Sequence, residues 1–302
     1  MRPFLTLAFA ATWLMASLTP VTAGGSADML GAPTLHTVTG EETFVALMAR
    51  YRVGYTELVA ANPGIDPWIP EPGTTLDIPT AHLLPTGPRR GIVVNLADQR
   101  LYWFPEPPAR PASFPIGIGG EGRATPVGET NVAGKREHPI WYPPQSMRDA
   151  DPSVPGAVLS GPDNPLGDHA LDLDWGSYVI HGTNRPAGVG RRVSHGCIRL
   201  APDDIALLFA AVAPGVPVTI VDEPIKLGWS DGDLWLEVHP SQEQADELEE
   251  RGAFTPAPAS GAGKRILAAV ATTDRSRLDW PAIQRAITER RGIPVRIMKP
   301  VS

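Results

Sequence analysis

The stretch Tyr178–Leu200 reads YVIHGTNRPAGVGRRVSHGCIRL and decides what kind of domain the chain builds. Its first three residues are typical of a short buried strand, which ends at His181. A loop rich in proline, glycine and arginine follows and leads to Ser194–Leu200. Because His181 directly follows a buried strand, its ring can be held rigidly against the loop that carries Cys197.

This segment has the residues that acyl transfer requires. Cys197 is the only cysteine of the 302 residues. A free thiol is only a few per cent ionised at neutral pH, and a neighbouring imidazole raises that fraction by accepting the proton. We therefore predict Cys197 as a nucleophile and His181 as its base, with the carbonyl of Gly182 orienting the imidazole. The amides of Gly196 and Cys197 would form an oxyanion hole, in which one donor contributes about 3–4 kcal/mol.

The same residues have other interpretations. A lone buried cysteine is usually a small hydrophobic residue. By residue type, His181, His195 and Cys197 could bind zinc, although they lack the short paired spacing of most zinc sites. His195 fits a structural role as well as a catalytic one, because one base suffices. We expect no cofactor and no metal.

The sequence on either side of this segment is rich in short strands. Ile92–Leu96 and Arg100–Phe104 flank a short turn and predict a hairpin, and Val216–Ile220 alternates as a closing strand. Pro202–Val212 is the one clear helix in this region. We therefore predict a mainly β domain, sandwich-like or barrel-like with one main helix, over residues 90–222.

The catalytic segment resembles the signature of the L,D-transpeptidases (the YkuD-type domain), which is a histidine, a variable loop and then Ser/Thr-His-Gly-Cys. Further matching motifs are Gly117–Gly119, Thr125–Gly128, Gly161–Gly167 and Asp203–Ile205. The resemblance covers residues 90–222. It implies that Cys197 is the nucleophile and His181 the proton donor and acceptor, and that Ser194, His195 and Gly196 complete the site.

One position departs from the common pattern of that family. Many members have asparagine where this chain has Arg199. Branches with arginine there resemble enzymes that attach an outer-membrane lipoprotein to peptidoglycan. A guanidinium group can hold a carboxylate through two parallel hydrogen bonds, so we expect Arg199 to bind a substrate carboxylate.

Residues 35–80 form a separate compact unit with the predicted order strand, helix, helix, strand. The side chains that recur at helical spacing are Phe44, Leu47, Met48 and Tyr51. The unit resembles the LysM module at His36–Val38, Gly40–Thr43, Ala61–Asp66 and Pro72–Pro79. That resemblance implies binding to glycans that contain N-acetylglucosamine, such as peptidoglycan. The alternative is a small packing domain without a ligand.

The N-terminus predicts export. Met1–Arg2 is basic, Phe4–Leu18 is almost free of polar groups, and small residues precede a predicted cut before Gly24. This is the layout of a secretory signal at residues 1–23, with an uncleaved anchor as the alternative. We expect a periplasmic protein associated with the cell wall. The net charge of −7 argues against a nucleic-acid partner.

The remaining residues, 223–302, predict a C-terminal extension. It contains a strand at Asp233–His239, an acidic exposed helix at Gln242–Arg251 and a linker at Phe254–Gly263. A last helix is predicted after Asp279, which is placed to cap it.

The resemblance to the L,D-transpeptidases implies a two-step reaction on the tetrapeptide stems of peptidoglycan. Cys197 would form a thioester, and an amine would then take the acyl group. A diaminopimelate amine would give a 3→3 cross-link, whereas a lysine of an outer-membrane lipoprotein would give a protein anchor. Two alternatives remain, a non-catalytic peptidoglycan-binding protein and an L,D-carboxypeptidase of the same fold.

Overall fold

The computed structural model describes residues 28–258, 261–270 and 275–300, so the predicted signal at 1–23 lies outside the described residues. The strands are β1 (Met29–Leu30), β2 (Thr34–Thr37), β3 (Thr75–Ile78), β4 (His82–Leu83), β5 (Gly91–Asn95), β6 (Arg100–Phe104), β7 (Ala112–Pro115), β8 (Ile118–Gly119), β9 (Gly128–Glu137), β10 (His169–Leu173), β11 (Val179–His181), β12 (Arg192–Ser194), β13 (Ile198–Arg199), β14 (Pro217–Val221), β15 (Ile225–Ser230), β16 (Asp233–Val238) and β17 (Val295–Arg296). The helices are α1 (Phe44–Tyr51), α2 (Tyr55–Ala61), α3 (Gln145–Ala150), α4 (Pro202–Ala211), α5 (Gln242–Arg251), α6 (Ala262–Ala269) and α7 (Trp280–Glu289). None of these helices has the length and apolar character that crossing a bilayer requires.

The predicted β domain is built on one eight-stranded sheet with the order β13-β11-β10-β9-β14-β5-β6-β7. Two neighbouring pairs, β11 with β13 and β14 with β5, are parallel, and the other pairs are antiparallel. The two ends of the sheet approach each other, because Gly117, just after β7, forms an antiparallel bridge with Arg199 of β13. The prediction of a mainly β domain is confirmed, and its sheet is curled.

A single apolar core fills the inside of the curled sheet. It takes side chains from both ends of the strand order, including Phe114 of β7 and Ile198 of β13. Helix α4 packs against β10 and adds Ile205 and Leu208 to this core. Since burial of one such side chain contributes about 1.5–3 kcal/mol, the core holds β11 and β13 firmly beside each other.

Residues 35–80 have the predicted order of elements. Strands β2 and β3 pair antiparallel, with His36 opposite Leu76, and α1 and α2 lie between them in the chain. Thr43 caps α1, because its hydroxyl accepts a hydrogen bond from the amide of Ala46 at 3.2 Å. The predicted apolar face of α1 is buried in a core of its own, which Leu248 of α5 completes.

The C-terminal residues form a folded unit rather than a loose extension. Strands β15, β16 and β17 make an antiparallel sheet, and α6 and α7 cover an apolar core on it. Two predictions for this region are wrong. Helix α5 has the predicted bounds but is not simply exposed, because Gln244, Ala245 and Leu248 are buried. The predicted linker at 254–263 is also too long, since α6 begins at Ala262.

A buried ion network joins the β domain to the C-terminal unit. The ammonium nitrogen of Lys226 lies 2.7 Å from a carboxylate oxygen of Asp98 and 2.7 Å from one of Glu237, and all three side chains are fully buried. It also donates to the hydroxyl of Tyr102 at 3.0 Å. Burial alone opposes the charge, but the two carboxylates raise the pKa of Lys226 well above its ordinary value.

The same network reaches the unit at residues 35–80. Arg100 of β6 donates to both carboxylate oxygens of Glu57 in α2, at 3.0 and 3.2 Å. His82 lies between the two acidic groups, 3.4 Å from Glu57 and 3.8 Å from Glu237. Buried polar contacts therefore tie all three units together and fix where α2 and α5 lie relative to the β domain.

Candidate active site

The predicted catalytic residues line one cleft with a volume of about 1020 Å³. The members of the predicted set that face it are His181, Ser194, His195, Cys197 and Arg199. The other two, Gly182 and Gly196, were predicted to act through backbone groups. The structure therefore brings together the residues that the sequence singled out.

The sheet explains why the histidine and the cysteine meet. Strands β11 and β13 are parallel neighbours, with Ile180 opposite Ile198 and His181 opposite Arg199. Cys197 immediately precedes β13, so it reaches the same edge of the sheet as His181 although sixteen positions separate them in the chain. Both side chains open into the cleft.

His181 is buried, and the backbones of Gly182 and Leu166 hold its ring. Its Nδ1 lies 2.5 Å from the carbonyl oxygen of Gly182, the group that the sequence suggested for this task. A carbonyl only accepts, so Nδ1 carries the proton and Nε2 is the free base of the neutral ring. Burial, followed by the charge of Arg199, lowers the pKa of His181 to about 4.

Among the described residues, the thiol of Cys197 hydrogen-bonds to Ser177 and makes no hydrogen bond to the imidazole of His181. Its Sγ donates a hydrogen bond of 3.7 Å to the carbonyl of Ser177. Burial raises the pKa of Cys197, and a hydrogen bond from the amide of Val179 and the charge of Arg199 oppose this only in part. The resting pair is therefore a thiol and a neutral imidazole, and transfer of the proton requires the Cys197 side chain to leave Ser177.

The turn before the nucleophile is held by three hydrogen bonds. The hydroxyl of Ser194 donates to the carbonyl of Cys197 at 2.6 Å and accepts from the amide of Gly196 at 3.1 Å. Thr125 donates to the carbonyl of Gly196 at 3.0 Å. Gly196 has φ +100°, and a Cβ there would lie 2.9 Å from the ring of Tyr178, so only glycine fits.

These contacts change the predicted oxyanion hole. The amide of Gly196 already donates within the turn, so it is not free to bind an oxyanion as predicted. The amide of Cys197 remains as the candidate donor. The hydroxyl of Ser194 is engaged within the turn, so this residue stabilises the turn and does not offer a free hydroxyl to the substrate. The sequence analysis did not predict that Thr125 stabilises this turn, although this residue lies in one of the matching motifs.

Arg199 is placed to meet an anion. Within the described residues its guanidinium group makes no hydrogen bond or ion pair, and its buried Nε has no partner. Arg123 and Arg185 line the same cleft. His195 is exposed at the rim, and burial, then Arg123 and Arg199, lower its pKa. The cleft therefore presents positive charge in a chain whose net charge is −7.

Zinc binding by His181, His195 and Cys197 has no geometric support. In the part of the chain that the structure describes, the one cluster with three ligand atoms within 4.8 Å of one another is Asp98, Glu237 and His239. The ammonium group of Lys226 lies between the two carboxylates of that cluster, so a cation already compensates their charge.

Alkylation of Cys197 by iodoacetamide is expected to rise with pH and to reach half its maximal rate at a higher pH than an ordinary cysteine thiol does. The reason is that only the thiolate reacts, and burial raises the pKa of this thiol. His181 is protonated only below about pH 4, so it cannot stabilise a thiolate as an imidazolium between pH 5 and 8. The measurement is the alkylation rate followed by intact-protein mass.

A small thiol such as N-acetylcysteine, titrated in parallel, provides the control. A rate for Cys197 that is already high and constant from pH 5 to 8 would contradict the neutral pair and indicate a thiolate–imidazolium pair.

Comparisons with known proteins agree with this site. Residues 89–220 match the family model described as "YkuD: L,D-transpeptidase catalytic domain". The chain is 36% identical to "Probable L,D-transpeptidase YcfS" of Escherichia coli (strain K12) over 290 residues, which cover 93% of this chain and 88% of that protein. It is 39% identical to "Probable L,D-transpeptidase ErfK/SrfK" of the same strain over 262 residues, covering 85% of this chain and 81% of the relative.

Among solved structures, the NMR structure of the catalytic domain from the E. faecium L,D-transpeptidase is 26% identical and covers 43% of this chain and 95% of that one. The TM-score of this match is 0.34, so the family assignment rests on the sequence relatives.

Proposed function

This chain belongs to the L,D-transpeptidase family, and on that premise we propose that it acts on peptidoglycan tetrapeptide stems through a thioester on Cys197. The observation that carries the proposal is the common cleft, in which Cys197, His181 and the unpaired Arg199 meet at one edge of the sheet. No residue of the cleft needs a cofactor for this chemistry.

In the first step the sulfur attacks the carbonyl that precedes the terminal D-alanine. Nε2 of His181 takes the thiol proton, and an S–C bond forms while the amide of Cys197 donates to the developing oxyanion. The C–N bond then breaks, and the imidazolium returns its proton to the amine of the departing D-alanine. The products are free D-alanine and a thioester.

In the second step an amine attacks the thioester. His181 accepts the proton of that amine, a C–N bond forms, and the thiolate leaves and is reprotonated. A diaminopimelate amine of a second stem gives a 3→3 cross-link, and a lysine amine of an outer-membrane lipoprotein gives a protein–wall bond. Resemblance to the anchoring branch, carried by Arg199, supports the second acceptor.

The proposal includes export to the periplasm and wall binding. The basic start at Met1–Arg2 and the apolar run at Phe4–Leu18 support export. For residues 35–80, the βααβ order with its antiparallel pair supports a LysM module that binds peptidoglycan glycan strands. In that unit Trp68 and Ile69 are exposed in the segment between α2 and β3, where they could contact a sugar face.

Incubation of the full chain with purified disaccharide-tetrapeptide, with and without a lysine-bearing lipoprotein, tests the function by mass spectrometry of the products. The proposal expects release of D-alanine and either dimers joined 3→3 or tripeptide linked to lysine. Tripeptide alone would favour the L,D-carboxypeptidase alternative. Unchanged substrate would favour the non-catalytic wall-binding alternative and contradict the proposal.

Arg199→Lys is expected to raise the KM for disaccharide-tetrapeptide about tenfold with a smaller change in kcat. Lysine keeps the charge but loses the two parallel hydrogen bonds that a guanidinium offers a carboxylate. Initial rates of D-alanine release measure both constants. Arg110→Lys, an exposed position outside the cleft, is the matched control. An unchanged KM in Arg199→Lys would rule out carboxylate binding by this residue.

A further inference from the structure

The loop that connects the two catalytic residues rests on elements outside the β domain. We call residues 188–193 the bridging segment, because they lie in the chain between His181 and Cys197. Gly188, Arg191 and Val193 of this segment line the cleft. Residues that hold the bridging segment in place therefore also shape one wall of the cleft.

Helix α2 of the unit at residues 35–80 binds this segment through its first turn. The amide of Tyr55 donates to the carbonyl of Val189 at 3.4 Å, and the amide of Thr56 donates to that of Gly190 at 3.0 Å. The hydroxyl of Thr56 donates to the same Gly190 carbonyl at 2.8 Å. The first amides of a helix have no acceptor inside the helix. This contact therefore gives the amides of α2 acceptors and gives the carbonyls of the bridging segment donors.

The backbones approach so closely that only glycine fits. Gly190 has φ +71°, and a Cβ there would lie 2.2 Å from Cα of Gly54 and 2.2 Å from the amide nitrogen of Tyr55. A Cβ on Gly54 would in turn lie 2.9 Å from Cα of Gly190. Direct backbone contact leaves little freedom for the two elements to move apart while remaining bonded.

Helix α5 of the C-terminal unit holds the other end of the bridging segment. Arg191 forms an ion pair with Glu249, and Arg192 donates to Asp246 at 2.5 Å and to the carbonyl of Gln242 at 2.5 Å. The guanidinium group of Arg191 also lies 3.4 Å from the ring centre of Tyr55. Both helices therefore meet at Arg191, which itself lines the cleft.

The inner side of the segment is bound to the β domain. The amide of Gly190 donates to the carbonyl of Ile116 at 3.1 Å, and the amide of Ile118 donates to that of Arg191 at 3.0 Å. A Cβ on Gly188 would lie 3.0 Å from a terminal nitrogen of Arg199, so this part of the segment also packs beside that guanidinium. A shift of the segment would thus reach the residue expected to bind substrate.

We propose that α2 and α5 position the bridging segment for catalysis, so that both units outside the β domain contribute to the acylation step. Thr56, Arg191 and Arg192 are the positioning residues, and Gly190 is the point of contact. Each acts through the cleft wall and not on the reacting atoms. This inference rests on the proposed function and adds to the unit at residues 35–80 a role beyond wall binding.

Gly190→Ala tests the contact with α2, because the new Cβ must push α2 and the segment apart. We expect kcat for D-alanine release from disaccharide-tetrapeptide to fall between about 10-fold and 100-fold, as for a small misplacement of catalytic groups. Gly215→Ala is the matched control, since Gly215 also has a left-handed φ, +88°, but has nothing within 4 Å of its Cβ position. It should keep the wild-type kcat and lose only the modest amount of melting temperature that alanine costs at a left-handed φ.

Thr56→Val keeps the test decisive if Gly190→Ala does not fold. Valine keeps the shape of threonine and removes only the hydroxyl bond to Gly190, so we expect kcat to fall about threefold to tenfold with KM and sacculus binding unchanged. Thr56→Ser, which retains the hydroxyl, should restore kcat. A merely structural role would lower the melting temperature and leave kcat of the folded enzyme unchanged.

The outcomes separate this inference from the proposed function. Wild-type kcat in folded Thr56→Val, or equal losses in Thr56→Val and Thr56→Ser, would overturn the positioning role alone. Absence of turnover in the wild-type chain would overturn the proposed function and this inference together.

Discussion

Cys197→Ala is expected to abolish thioester formation and to lower D-alanine release by a factor on the order of 10⁵, as for removal of other catalytic nucleophiles. No other side chain of the chain can replace the sulfur, because Cys197 is the only cysteine. Alanine fits the site without a new clash, since it only shortens a partly exposed side chain. Single-turnover assays with disaccharide-tetrapeptide, followed by intact-protein mass, measure the effect.

Binding to purified sacculi is the control for this variant. It should remain at the wild-type level, because the unit proposed to bind the glycan lies at residues 35–80. The melting temperature should also change little, which would exclude unfolding as the cause. Turnover within tenfold of the wild type in Cys197→Ala would end the thiol mechanism.

Lys226→Met is expected to lower the free energy of unfolding by about 3–5 kcal/mol. The substitution removes the ammonium group that compensates Asp98 and Glu237, and both carboxylates are fully buried. Burial raises the pKa of a carboxyl group, but Lys226 holds the pKa values of Glu237 and Asp98 below their ordinary values. Without Lys226, the two buried carboxylates lose the cation that stabilises their negative charge. Urea denaturation at pH 7, monitored by circular dichroism, measures the change.

The matched control is Lys264→Met, an exposed lysine in α6 whose loss should change the free energy of unfolding by less than about 0.5 kcal/mol. Adding Asp98→Asn and Glu237→Gln to Lys226→Met should recover part of the loss, because neutral groups no longer need a cation. A loss below about 1 kcal/mol in Lys226→Met would contradict the role of this network.

The residues with local signals were predictable from the sequence. Cys197 and His181 were predicted as a pair from a single thiol, a Gly-Cys pair and a strand ending in histidine, and the structure places both in one cleft. The order of elements in residues 35–80 followed from the apolar spacing Phe44, Leu47, Met48 in α1. The bounds of α5 were also predicted correctly, and the structure shows that Ser241 caps this helix.

Features that depend on tertiary contacts were not predictable. The buried side chains of the long strand β9 are Thr130 and Val132, and because Thr130 is polar the sequence lacks the apolar alternation that marks a strand. Lys226 lies between Ile225 and Leu227, the pattern of a solvent-facing residue in a strand, and only the fold places Asp98 and Glu237 beside it. The contact of Gly190 with Gly54 joins residues 136 positions apart, and a local pattern carries no signal for it.

The engaged amide of Gly196 illustrates the same limit within the site. A glycine before the nucleophile suggested an oxyanion donor, and the pattern is right about the residue type. Its amide is bound to the hydroxyl of Ser194, which follows from the shape of the turn and φ +100°. The sequence thus predicted which residues come together at the cleft. It did not predict which of their backbone groups remain free to donate a hydrogen bond.

The most direct measurement is the intact mass of the wild-type chain, quenched soon after mixing with disaccharide-tetrapeptide and then digested to locate any adduct. A thioester mechanism predicts a mass increase equal to the substrate less D-alanine, on the peptide that contains Cys197, and loss of the adduct when an amine acceptor is added. Release of D-alanine without any adduct on that peptide, or an adduct on another residue, would contradict the mechanism.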